Sequence, residues 1–170
     1  MPALVICAFP GCGKSMFYKL NSVYEGHQNG LKVLDSDSSS FSWLYDDNGK
    51  QTTERNPNFP ANYISHIKSN LKHQDIIFVS SHKLVREALQ NANIPYINIY
   101  PADTIDNMKE WRNRFINRGN PQSFIDLIMT NWSVWLMDME LDKYATKNIA
   151  LDVNSIYPYI TYPLISSLKE

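Results

Sequence analysis

Lys14 and Ser15 are the residues from which any chemistry of this 170-residue chain has to be built, because of what surrounds them. They close the run Phe9-Pro10-Gly11-Cys12-Gly13-Lys14-Ser15, which follows an apolar stretch, Ala3 to Ala8, and leads into the helix-compatible segment Met16 to Leu20. A strand, a loop of small residues and Gly-Lys-Ser at the start of a helix is the order of a polyphosphate-binding loop, G-x-x-x-x-G-K-[ST]. Ala8 stands where the first glycine would be, and Ala is nearly as small. Gly11 and Gly13 let backbone N–H groups, with those of Cys12 and Met16, approach phosphate oxygens with no Cβ in the way. The amino end of the helix adds positive potential there. Lys14 can bridge the β- and γ-phosphates and the Ser15 hydroxyl can ligate Mg²⁺, so ATP and Mg²⁺ are the expected cofactors.

Two further clusters carry chemistry. Asp35-Ser36-Asp37 follows a short apolar run, and its two carboxylates point to the same side of the chain. Beside a triphosphate, one of Asp35 and Asp37 can hold Mg²⁺ through water while the other accepts a hydrogen bond or proton from a substrate hydroxyl; the same residue types also cap turns. The second cluster is Arg112, Arg114 and Arg118, with Gly119-Asn120-Pro121 behind it as a hinge. Arg114 and Arg118, four apart, share a helix face, and a lid could bring them onto a migrating phosphoryl group. A solvated basic helix face would carry the same residues. Phe41, Trp43 and Arg55 sit between these clusters, fit either to line an acceptor site or to anchor a loop. His82, after Ser80 and Ser81, either touches substrate or caps the next helix.

The elements that must position these residues follow from periodicity. Helix is expected from Lys14 to about Asn21, strand at Leu31–Leu34, and a polar, irregular excursion from Ser38 to Pro60 with a turn at Asp46-Asp47-Asn48-Gly49. Asn62–Leu71 has helical spacing, and Asp75–Ser80 reads as a strand covered on both faces. Helix Lys83–Ala92, strand Tyr96–Tyr100, helix Thr104 to about Asn117, one long helix Ser123 to about Leu141, strand Asn148–Asp152 and a proline-interrupted tail helix Ile156–Leu168 complete the chain. Five strands separated by helices predict an α/β doubly wound sheet, which places ligands at the carboxyl ends of its strands.

The totals set bounds. Residues 1–170 fit one domain, with an acceptor-side excursion about 38–72 and a lid-like helical region about 103–121. At 44% hydrophobic, 19% charged and a net charge of −1, the chain has neither a membrane-like nor a polycationic composition. Cys7 and Cys12 read as free thiols of a reducing compartment, and no run is long enough to span a membrane, so the expectation is cytoplasmic.

Together, Phe9–Ser15, Leu34-Asp35-Ser36-Asp37-Ser38-Ser39 and Trp111-Arg112-Asn113-Arg114-Phe115-Ile116-Asn117-Arg118-Gly119 resemble the nucleoside monophosphate kinase-like branch of P-loop kinases, above all small bacteriophage nucleotide kinases. The Asp-Ser-Asp element also resembles the acidic pair of shikimate kinase and the strand-end Asp of phage polynucleotide kinases. The resemblance implies a P-loop fold with sheet order 2-3-1-4-5, ATP with Mg²⁺, and transfer of the γ-phosphoryl of ATP to a small acceptor; on the reading of the residues themselves, Asp37, Phe41, Trp43, Arg55, His82 and Arg112 are the candidates to touch that acceptor. For a phage-encoded chain the setting would be host cytoplasm, with a monomer or homodimer as the working form. The chain lacks an arginine-dense acceptor site and a long inserted lid, so three answers for the acceptor stay open. These are a (deoxy)nucleoside monophosphate, a polynucleotide or modified-base hydroxyl, and none, as in a nucleotide-binding switch.

Overall fold

The computed structural model describes residues 2–169. Its centre is a parallel sheet of β1 (Leu4–Ala8), β2 (Val33–Asp35), β5 (Ile76–Ser80), β6 (Ile97–Pro101) and β7 (Lys147–Leu151). The apolar runs predict burial on both faces, and alternate residues of β1 divide accordingly. Ile6 and Ala8 join Phe17, Phe78, Trp111 and Trp132 in one core, whereas Val5 and Cys7 join Tyr63, Ile67, Val79, Val85 and Leu89 in the other. Each element joining the strands lays an apolar stripe on one of these faces. They are α1 (Lys14–Asn21), α3 (Ala61–Asn70), α4 (Lys83–Asn91), α5 (Ile105–Asn117), α6 (Gln122–Thr130), α7 (Trp132–Glu140) and α8 (Tyr162–Leu168).

The sheet order is β2-β5-β1-β6-β7, which differs from the expected 2-3-1-4-5. The numbering departs because two strands that were not foreseen precede Ile76. The segment expected to be irregular holds α2 (Ser39–Ser42) and an antiparallel hairpin, β3 (Trp43–Tyr45) and β4 (Gln51–Arg55), outside the main sheet. The Asp46–Gly49 turn is its tip: the Asp46 carboxylate accepts from the Asn48 and Lys50 N–H groups, and Gly49 takes φ 76°. Nearly every hairpin residue is exposed, so hydrophobic patterning had little to report there.

Two helical expectations also change. The long helix over 123–141 is two helices that meet at Asn131, whose side chain donates to the Leu127 carbonyl. The tail helix starts only at Tyr162, capped by the Thr161 hydroxyl; residues 152–161 form an irregular strap of turns and bends instead, in which the Asp152 N–H donates to the Tyr157 carbonyl. The strap lies on the loop after β1, where the Ile160 N–H donates to the Cys12 carbonyl at 2.9 Å.

At the back of the sheet edge a charged network is buried. Arg86 of α4 donates to Asp138 of α7, to Asp142 at 2.8 Å and to the Ser81 carbonyl. Burial alone would push the Asp142 carboxyl up, but hydrogen bonds from Asn98, Arg86 and Tyr96 outweigh it and hold the group below the usual carboxylate range. No described helix is long and apolar enough to cross a membrane.

Candidate functional site

β1 ends at Ala8, hydrogen-bonded in register beside Ser80 of β5 and Ile99 of β6, so the following loop rises at the middle of the sheet's carboxyl edge. Gly11 and Gly13 hold φ of 81° and 94°, a region that suits glycine. At Gly11 space adds a second requirement: a Cβ there would sit 2.8 Å from the Trp111 ring. Gly13 caps α1 with its backbone only, and no side chain or first-turn acid occupies that helix end.

A cleft of about 830 Å³ opens over this loop. The loop side contributes Gly11, Gly13, Lys14, Ser15 and Met16; α5 contributes Arg114 and Arg118 from the other side. The structure therefore joins seven of the residues singled out from the sequence in one cavity. Cys12 belongs to the loop but its thiol is buried in the core, where desolvation pushes it up to about 12. Arg112 is exposed and outside the cleft.

Arg114 is less free than a lid arginine was expected to be. Its guanidinium lies between the Trp111 ring, at 3.8 Å, and the Tyr159 ring, at 3.9 Å. It donates to the Gly11 carbonyl at 2.8 Å and the Pro158 carbonyl at 3.0 Å, and pairs with Glu110. One side chain thus ties α5, the loop and the strap together. Arg118, one turn on, is exposed and makes no ion pair among the described residues.

On the other flank the strand ends gather the second group. Asp35 shares a hollow with Ser15 and Lys19. Asp37 accepts the Ser39 N–H at 2.9 Å, a turn-capping bond. Tyr63 fastens this corner by donating to the Ser36 carbonyl at 2.7 Å and accepting the Ser80 N–H. Phe41 packs on Tyr63 and His66 and anchors the excursion to the core. Trp43 carries the Arg55 guanidinium on its ring face at 4.0 Å. His82 is held below the usual imidazole range by desolvation and then by the positive charges of Arg55, Lys14 and Arg86. Arg55 of β4 and Lys14 of the loop are therefore close enough to act on His82 at the end of β5. Neither Lys14 nor Arg55 pairs with a carboxylate among the described residues.

Comparison with models of known families gives no match, and comparison with curated proteins gives none. The site stands on its geometry.

Sequence reasoning missed Lys19, Glu110, Asn113, Asn117 and Tyr159, all of which line the cleft. Glu110, Asn113 and Asn117 were findable, since they repeat at the three- and four-residue spacing of Arg114 and Arg118. Tyr159 had no such signal, because only the tertiary path of the strap brings it there. Among the described residues no group of three or more His, Cys, Asp or Glu side chains gathers that could hold a metal ion alone.

Proposed function

We propose that the protein transfers the γ-phosphoryl group of ATP to a nucleotide acceptor, a (deoxy)nucleoside monophosphate. The loop over 9–15 and the resemblance to nucleoside monophosphate kinase-like P-loop kinases support the donor side. The observation that supports the acceptor side is Arg55, whose guanidinium rests on the Trp43 ring at 4.0 Å and, like Lys14, pairs with no carboxylate among the described residues, which favours a second anion next to the first.

The donor set fits ATP and Mg²⁺. Two glycines in left-handed conformations and an uncapped helix end present N–H groups, an ammonium stands at the helix start, and a hydroxyl follows it. When bound, ATP with Mg²⁺ supplies the activated phosphoryl group. Lys14 would balance charge on the polyphosphate, and Ser15 and Asp35 would offer oxygen to the ion. Arg118 neutralises charge from the α5 side, while Arg114 holds the loop in shape. Arg55, steadied by Trp43, and His82 orient the acceptor's phosphate.

A hydroxyl acceptor needs a general base, and Asp37, the candidate, already spends one carboxylate oxygen on the Ser39 N–H. A coupled assay for ADP over a panel of nucleoside monophosphates, nucleosides and 5′-hydroxyl oligonucleotides tests the proposal. Mononucleotides should raise turnover, Lys14→Ala should abolish it, and Asp37→Asn should be mild. Turnover indifferent to every acceptor would sink the kinase reading in favour of a switch.

A further inference from the structure

A second cavity, of about 280 Å³, opens beside the donor cleft and shares Pro10 with it. Its walls are apolar: Phe9 before the loop, Ile128 of α6, and Trp135 and Met139 of α7. Five polar side chains also line it: Ser81 and His82 after β5, Lys83 and Arg86 of α4, and Asp138 of α7. The volume suits one ring system and is below that of pockets for larger ligands, and apolar walls with a few convergent polar groups are what a planar heterocycle needs.

Resting on the nucleotide-kinase reading above, we infer that this cavity takes the acceptor's nucleobase and that Asp138 selects bases bearing an amino group. The direction of the ligand follows from the neighbours. The cavity meets the donor cleft at Pro10, so a ring seated against Trp135 sends its phosphate towards the loop and Lys14. Selection follows from the chemistry of Asp138. One carboxylate oxygen is held by Arg86, which Asp142 and the Ser81 carbonyl fix in turn. The other oxygen has only Lys83 near it, at a loose 3.8 Å, and Lys83 is largely exposed. That oxygen is an acceptor with no donor of its own. The exocyclic amines of cytosine, adenine and guanine can donate to it. Thymine and uracil offer one N–H flanked by two carbonyl oxygens, which the carboxylate repels. The packed walls also disfavour a polynucleotide, whose neighbouring bases would have no room.

Calorimetric titration of the full chain, with a non-hydrolysable ATP analogue bound, tests the inference using dAMP, dCMP, dGMP and dTMP. A hydrogen bond to a charged group implies roughly ten- to hundredfold tighter binding of amino-bearing acceptors than of dTMP. Asp138→Asn, whose amide can donate to a carbonyl, should erase or invert that order. Val134→Trp, at an exposed wall position, should fill the cavity and weaken every mononucleotide while ATP-analogue affinity holds. The inference fails if dTMP binds as tightly as dCMP, or if mononucleotide affinity ignores Val134→Trp. Either failure, with mononucleotide-dependent turnover intact, leaves the kinase reading standing. Loss of that turnover across the whole panel removes both.

Discussion

Replacing Arg114 with Ala should destabilise the fold before it touches catalysis. The guanidinium is nearly buried and bonds two carbonyls, Gly11 O at 2.8 Å and Pro158 O at 3.0 Å. Hydrogen bonds to charged groups are worth about 1.5–3 kcal/mol each. The cleft lets water reach the freed carbonyls, so the low end applies and the pair contributes about 3 kcal/mol. Stacking between Trp111 and Tyr159 adds about 1 kcal/mol. In a domain of this size 1 kcal/mol moves the midpoint by about 2–4 °C, so Arg114→Ala should melt roughly 8–16 °C lower. Arg114→Lys keeps the charge but reaches one carbonyl and loses the planar stack, so it should recover about half of that. Thermal unfolding followed by circular dichroism, with urea titration as a second measure, reads both variants. A lid arginine that touched only the migrating phosphoryl group would lower turnover and leave melting unchanged. If Arg114→Ala melted within about 2 °C of the parent, the clamp described above would be wrong.

Three more outcomes are expected. Gly11→Ala puts a Cβ 2.8 Å from the Trp111 ring in a left-handed conformation, whereas Gly49→Ala, with φ 76°, meets nothing within 4 Å; the first should cost about 2 kcal/mol or more and the second about 1 kcal/mol in urea titrations. His82 binds its proton less readily folded than unfolded, so as pH falls below about 6.5 the unfolded chain takes up more protons and stability drops. His82→Gln should flatten that part of the pH–stability curve, and a phosphate seated between Lys14 and Arg55 should raise the imidazole's pKa in an NMR titration. Arg55→Ala should raise the acceptor's KM with little change in ATP affinity, and Trp43→Ala should do so more weakly by releasing the guanidinium; equal losses for donor and acceptor in steady-state kinetics would contradict this assignment.

The sheet and the loop were legible because their signals are local. Apolar runs such as Ile76–Val79 mark strands buried on both faces, and the spacing of Gly11, Gly13, Lys14 and Ser15 marks the turn into α1. The hairpin was not legible, since exposed strands such as Gln51–Arg55 show no apolar alternation. The split at Asn131 was hidden because apolar spacing runs through both helices and no glycine or proline marks the break. Arg114, expected as a lid residue, does line the cleft, but its contacts with Pro158 and Tyr159 are ones that sequence spacing cannot bring near it. Asp138 and Arg86 went unnoticed for the same reason: their pairing spans α4 and α7.

The strap has a consequence for how the molecule is made. Cys12 and Gly11 leave the ribosome early, yet the bonds that fix their carbonyls come from Ile160 directly and from an arginine braced on Pro158. During translation the loop therefore waits, unsupported, until residues 158–160 have emerged. A chain stopped short of Pro158 lacks both of these bonds, so its loop keeps the mobility that the strap removes.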